Sequence, residues 1–259
     1  MHFVEYGEGR PPLVFVHGFA CSLEDWRAQL EHFRRSHRVV ACDLRGHGKT
    51  PGEAPECSIE HYGGDVAALL ATLEIAQAVL IGHSMGCRVV LEANRLAPER
   101  VAGLVLIDGS RQGVGDGAAA ENAAHAALAA KGYATFMRAF FEAMFLQESE
   151  TSRAAVERAL ELPEEIGAAL FPRMARWDAA RMEAALDAVK APVLAIQSTY
   201  VNTERKRVPI RRGETTPWLD LVKQKVAAAR IEILPGHGHF PQLEAPERVH
   251  RLIEGFLPS

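Results

Sequence analysis

Short apolar runs alternate with helical stretches along most of this chain. That alternation predicts an α/β fold, with a mainly parallel, doubly wound sheet and helices on both faces. Three observations carry the expectation. First, Leu13–Val16, Arg38–Cys42, Ala78–Ile81, Val101–Ile107 and Pro192–Ile196 are short, largely apolar runs, the mark of strands buried on both faces. Second, the stretches between them have helical patterning and helix start signals. Third, His17-Gly18-Phe19, Gly82-His83-Ser84-Met85-Gly86 and Gly236-His237-Gly238-His239 each follow a predicted strand, so they gather at one edge of the sheet.

Taken in order, Phe3–Tyr6 reads as an edge strand. Ser22 can cap a helix through Trp26, Leu30 and Phe33. The strand ending at Cys42 leads into Asp43-Leu44-Arg45-Gly46-His47-Gly48-Lys49-Thr50. Its last three residues look like the end of a phosphate-binding loop. The first glycine of that motif would fall at Asp43, and Pro51-Gly52 interrupt any helix, so nucleotide binding is not expected. Ser58 can cap a helix carrying Val66, Leu69, Leu70 and Leu73.

From Gly113 to about Val189 no strand-like run occurs. The segment reads as several helices inserted into the α/β order. The division expected is 1–112 with 190–259 as the core and 113–189 as the insertion. Phe136, Phe140, Phe141, Met144 and Phe145 fall at helical spacing, as do Leu170, Met174 and Trp177. Helix packing explains such stripes; the sharper reading is that part of them roofs an apolar pocket. Thr216-Pro217 and Ala245-Pro246 open the last two helices around the strand Arg230–Leu234.

At 259 residues, with 48% hydrophobic and 24% charged residues, the chain can build one large core. A net charge of −4 does not suggest a nucleic-acid partner. No apolar stretch is long enough to span a bilayer. Cys21, Cys42, Cys57 and Cys87 lack paired spacing, and Met1–Glu5 lacks a signal-peptide pattern. A cytoplasmic protein with reduced thiols is the expectation. Oligomeric state is left open.

Gly82-His83-Ser84-Met85-Gly86 fits G-x-S-x-G between a strand and a helix, the nucleophile-elbow context. A serine hydroxyl there needs a histidine base and a group that orients it. The amide after the nucleophile, that of Met85, can help hold an oxyanion.

With His17-Gly18-Phe19, the Asp43–Gly48 turn and Phe240-Pro241-Gln242-Leu243-Glu244, these motifs resemble the α/β-hydrolase family over about two-thirds of the chain. The resemblance implies that fold, with the insertion as a helical cap. It implies Ser84 as nucleophile, His239 as base with His237 as competitor, and Phe19 with Met85 as the oxyanion hole. His83 is expected to pack or hydrogen-bond. The family's usual acid position follows the strand after the cap, and here reads Gln197–Glu204 without an aspartate. Some branches place the acid one strand earlier, which here is Asp108.

The function expected is serine hydrolysis of a small or medium apolar ester or lactone, without cofactor or metal. Trp26, Phe136, Phe140, Phe141, Met144 and Trp177 are the expected substrate-binding residues. Serine at the elbow argues against dehalogenase and epoxide-hydrolase chemistry. A cofactor-independent dioxygenase or lyase is the alternative, and a non-catalytic small-molecule receptor stands behind it. Arg205-Lys206-Arg207 and Arg211-Arg212 read as a solvated loop; the sharper idea is a guide for an anionic substrate.

Overall fold

The computed structural model describes residues 1–202, 204 and 206–258. The first half contains β1 (Phe3–Tyr6), β2 (Leu13–Val16), α1 (Arg27–Phe33), β3 (Val39–Cys42), α2 (Ile59–Thr72), β4 (Ala78–His83), α3 (Met85–Leu96) and β5 (Val101–Ile107). Five helices follow: α4 (Gly117–Ala129), α5 (Tyr133–Glu142), α6 (Glu150–Leu160), α7 (Glu164–Ala180) and α8 (Met182–Asp187). The α/β order then resumes with β6 (Val193–Gln197), β7 (Thr199–Val201), β8 (Arg207–Pro209), α9 (Pro217–Lys225), β9 (Arg230–Ile233), α10 (Pro241–Glu244) and α11 (Pro246–Glu254).

Seven strands form the main sheet in the order β1-β3-β2-β4-β5-β6-β9. Only β1 runs antiparallel, pairing Phe3 with Cys42 at the edge. The remaining pairs are parallel. Parallel strands need long crossovers, and here helices supply them. The apolar runs alternate faces as the strand period requires. Val14, Val16, Leu80, Leu104 and Leu106 join one core cluster with Tyr62 and Val66 of α2 and Val222 of α9. Leu13, Phe15, Val79, Ile81, Val105 and Ile107 join the other with Phe33 of α1 and Val249 of α11.

The expected caps form. The Ser58 hydroxyl accepts the His61 amide, and Thr216 accepts that of Leu219. Ser22 caps a short 3-10 turn, Leu23–Trp26, that leads into α1. The Phe/Met stripe differs from its expected helix. α5 ends at Glu142, so Met144 and Phe145 lie beyond it, where the chain turns back toward the sheet.

The structure also corrects the reading of the basic stretch as a solvated loop, since Arg207 belongs to a strand. β7 and β8 pair as a small antiparallel sheet, with Val201 opposite Arg207 and Thr199 opposite Pro209. Thr199, Val201 and Val208 are β-branched, which suits a short hairpin. Arg205, part of the basic stretch, lies outside the described residues.

No helix among the described residues is long and apolar enough to cross a membrane. Among the ion pairs that tie the inserted helices to the rest of the fold, two involve a carboxylate that is itself buried. Arg158 of α6 meets the buried Asp25. Arg88 of α3 meets Asp178 of α7 through Nε–Oδ1 and Nη2–Oδ2 contacts of 2.7 Å each. Asp178 also accepts the Gln112 amide at 2.7 Å. Both partners of the Arg88 pair are buried, so removing either strands the other as an uncompensated charge. Asp178→Ala is therefore expected to cost about 3–5 kcal/mol of stability in urea unfolding. A loss near zero, the value typical of surface pairs, would show that this pair does not fasten α7 to α3.

Candidate active site

β4 ends in the glycine-serine turn. Ser84 has φ 53° and ψ −112°, a strained backbone for a residue with a side chain. The two glycines permit it by close approach. A Cβ on Gly82 would lie 2.3 Å from the Gly86 carbonyl oxygen, and one on Gly86 would lie 2.3 Å from that of Val16. The Ser84 amide donates to the Ile107 carbonyl at 2.9 Å, which fastens the turn to β5. Met85, as the first residue of α3, has no carbonyl within its helix to receive its N–H.

The loop after β2 is held by two buried histidines. His17 Nδ1 donates to the Gly18 carbonyl at 2.7 Å, and its Nε2 accepts the Leu44 amide at 3.0 Å. His47 Nε2 accepts the Ala20 amide at 3.2 Å. Burial pushes the His47 pKa down to about 3, with the neighbouring His17 adding to the effect. It is therefore neutral and can accept. This clamp fixes the backbone around Phe19, beside Ser84.

His239 Nε2 lies 2.8 Å from Ser84 Oγ, and its Nδ1 lies 2.6 Å from Asp108 Oδ2. Its backbone is fixed on both sides. The His239 amide donates to the Met144 carbonyl at 2.7 Å, and His83 Nε2 donates to the His239 carbonyl at 2.8 Å. Glu244 braces the same loop by accepting the Gly238 and Phe240 amides. His237 turns away, with Nε2 3.1 Å from Arg248 Nη1.

Asp108 follows β5 with φ 47°, a second strained position. Its Oδ1 accepts the amides of Ser198 at 2.6 Å and Thr199 at 2.9 Å. Its Oδ2 accepts the Thr199 hydroxyl at 2.5 Å. The Ser198 hydroxyl lies between Oδ1, at 3.0 Å, and the Gly238 carbonyl, at 2.6 Å. The strand end that lacks an aspartate thus supplies the donors for one on the neighbouring strand.

Arg207 departs from the solvated loop expected of the basic stretch. Its side chain is 9% exposed and enters the site from β8. Nη1 donates to Thr199 Oγ1 at 2.8 Å and lies 3.0 Å from His239 Nδ1 and 3.6 Å from Asp108 Oδ2. Only the position of the basic stretch, beginning just past β6, hints at this.

Burial works against the charge on Asp108, but the His239 hydrogen bond, the Arg207 cation and the Thr199 hydroxyl together hold its pKa below the usual range. Burial lowers the His239 pKa to about 4; Arg207 deepens the shift and Asp108 only partly offsets it. At neutral pH the group is an ionised carboxylate, a neutral imidazole and a serine hydroxyl in line. Such a chain can draw a proton from the serine as it attacks a carbonyl.

Phe19, Met85, Phe140, Phe141 and Met144 line the space over Ser84, joined by Met174, Phe240, Gln112, Arg88 and Arg207. The cavity is about 10 Å³, room for about one water. Other expected pocket residues lie elsewhere. Trp26 is fully buried on the opposite face of the sheet, 5.2 Å from the Phe15 ring. Trp177 is buried in the core cluster and does not line the cavity. Phe136 packs on Phe140 and Phe171 one layer out. Phe145 stacks on Phe240 at 5.0 Å. Spacing reports an apolar face in each case; it cannot report which neighbour covers it.

The sequence model described as "Alpha/beta hydrolase family" matches residues 13–252, and the chain belongs to that family. The chain is 30% identical over 251 residues to the dihydrolipoyllysine-residue acetyltransferase component of an acetoin cleaving system from Pseudomonas putida. That match covers 97% of this chain and 64% of the relative. It is 30% identical over 108 residues to an (E)-2-((N-methylformamido)methylene)succinate hydrolase from Acinetobacter baylyi, covering 42% of this chain and 41% of that one. The chain thus spans less than two-thirds of the length of these relatives. Among solved structures, a thermophilic esterase from Thermogutta terrifontis superposes with a TM-score of 0.79 at 25% identity, covering 98% of this chain and 91% of that one.

The electrostatics make one prediction that is independent of the reaction. The His239 ring is expected to stay neutral as pH falls from about 8 and to gain its proton only near pH 4. Histidine ring NMR, with His239→Gln for assignment, reads this directly. Titration near 6.5, the unperturbed value, would mean that burial and Arg207 do not govern the ring.

Proposed function

We propose that this protein is a serine hydrolase that cleaves a carboxylic ester, open-chain or cyclic, through an acyl-enzyme on Ser84. The observation that carries the reading is the unbroken contact line Ser84 Oγ–His239 Nε2–His239 Nδ1–Asp108 Oδ2, at 2.8 and 2.6 Å. The esterase likeness supports it.

In the first step Ser84 Oγ bonds to the substrate carbonyl carbon while its proton passes to His239 Nε2. The Phe19 and Met85 amides receive the charge that develops on the carbonyl oxygen. Asp108 holds the Nδ1–H tautomer and stabilises the imidazolium. The C–O bond to the alcohol then breaks, and the alcohol leaves with the proton from His239. In the second step a water gives a proton to His239 and its oxygen to the acyl carbon, releasing the acid and restoring Ser84.

The cavity over Ser84 is too small for an ester, so Phe140, Phe141, Met144 or Met174 must move aside for the substrate. All four are apolar, which favours an acyl group with a hydrocarbon portion. The cap role of α4–α8 and a cytoplasmic location belong to this proposal.

A panel of chromogenic esters and an organophosphonate probe test the reading. The probe is expected to label Ser84 alone. Ser84→Ala and His239→Ala should abolish turnover, whereas His237→Ala should largely keep it. Asp108→Asn should lower kcat by about 10⁴, the effect of the same change in a serine-protease triad, by leaving the wrong histidine tautomer. Full turnover by Ser84→Ala, or labelling of another serine with loss of activity, would overturn the proposal.

A further inference from the structure

Arg207 creates a difficulty for the reaction just described. Nδ1 of His239 must carry the proton it donates to Asp108, yet Arg207 Nη1 is 3.0 Å from the same nitrogen. Two donors cannot share that contact as a hydrogen bond. A guanidinium donating to Nδ1 would instead favour the Nε2–H tautomer, which cannot take a proton from Ser84. The cation also opposes the imidazolium that forms during attack. The other groups around His239 do not cancel it. His83 is neutral, its pKa lowered to about 3 chiefly by burial. Arg88 is a further cation, neutralised by Asp178. Asp108 is therefore the one carboxylate among the described residues that both Arg207 and His239 face.

The two arginines of the pocket are not equivalent. Arg88 uses Nε and Nη2 on Asp178, and Nη2 also reaches the Ser110 carbonyl at 2.9 Å. Arg207 engages described residues through Nη1 alone. Its side chain is nine-tenths buried and lines the cavity over Ser84. A guanidinium has a fork of donors suited to a carboxylate, and burial makes an unmatched one costly. Burial accordingly pulls the Arg207 pKa down, and the Asp108 charge opposes that shift.

We infer that Arg207 is the receptor for an anionic group, a carboxylate, carried on the acyl portion of the substrate. The inference rests on the hydrolase reading and specifies its substrate class: half-esters of dicarboxylic acids, or lactones bearing a carboxylate. The anion supplies an acceptor for Nε and Nη2, which engage none among the described residues. It also offsets the positive field at His239, so the base is strengthened when the right substrate is bound. A neutral ester leaves Arg207 unmatched beside the base.

The test uses the intact protein and monomethyl esters of succinate, glutarate and adipate. Each is paired with the neutral methyl ester of the same acyl carbon count, and the released acid is followed by NMR. For at least one length the wild type is expected to prefer the acidic ester by about tenfold to a hundredfold in kcat/KM, the range of a hydrogen bond to a charged group. Part of the gain should lie in kcat, because the base changes as well as the binding. Arg207→Met should erase the preference, and Arg207→Lys, which keeps a charge without the fork, should retain part of it.

Equal or better cleavage of the neutral ester at every length by the wild type would overturn the inference while leaving the hydrolase reading intact. So would an Arg207→Met variant that slows both esters equally, since Arg207 would then only position Thr199 and Asp108. A protein that cleaves no ester and leaves Ser84 unlabelled would overturn both.

Discussion

Asp108 carries its carboxylate at a point with no exposed surface, between the ends of β5 and β6. An ionised group in such a place costs several kcal/mol unless its oxygens are matched by donors. Much of the site answers that requirement. Ser198 and Thr199 turn their amides toward Oδ1 because β6 ends one strand away, in parallel register with β5. The Thr199 hydroxyl and the His239 ring take Oδ2. Arg207 approaches because the hairpin of β7 and β8 starts at Thr199. Remove the carboxylate and these groups lose their common acceptor, and His239 loses the partner that sets its tautomer.

The inserted helices are coupled to this centre through backbone as well as side chains. The carbonyl of Met144, just past α5, receives the His239 amide. Gly238 packs against the same turn, where a Cβ would lie 2.5 Å from that carbonyl oxygen. Asp178 on α7 holds Arg88, which is one helical turn after Ser84. Movement of α5 or α7 therefore reaches both the serine turn and the histidine loop. Phe140 and Phe141 of α5 and Met174 of α7 line the cavity over Ser84, so its size and the placement of His239 depend on the same helices.

Hydrophobic period and turn chemistry make most of the architecture legible in advance. Buried parallel strands must be apolar on both faces, so Leu13–Val16, Ala78–Ile81 and Val101–Ile107 announce themselves. Gly82 and Gly86 mark a turn that no other residue fits. Asp108 is legible only through the family resemblance, which offers a second acid position when the strand end after β6 holds no aspartate. Trp26 and Trp177 mislead because a large apolar side chain looks alike from sequence whether it lines a pocket or fills a core. Arg207 misleads because a charge run is usually solvated, and nothing local reveals that one member folds inward.

Local pattern along the chain accounts for the sheet and the serine turn, and the family resemblance adds the histidine and aspartate that meet there. Each is written in local terms: a periodicity, a glycine, a residue at the end of a strand. The folded chain alone assigns Ser198 and Thr199 to Asp108, Met144 to His239, and Arg207 to the flank of the base. The hydrogen bonds that link Asp108, the chain after β6 and the loop after β9 join residues 40 or more positions apart. Hydrogen bonds and buried charges act over a few ångströms in space, whatever the separation along the chain. A sequence pattern records the local requirement of each residue; it cannot record which distant donor will meet it.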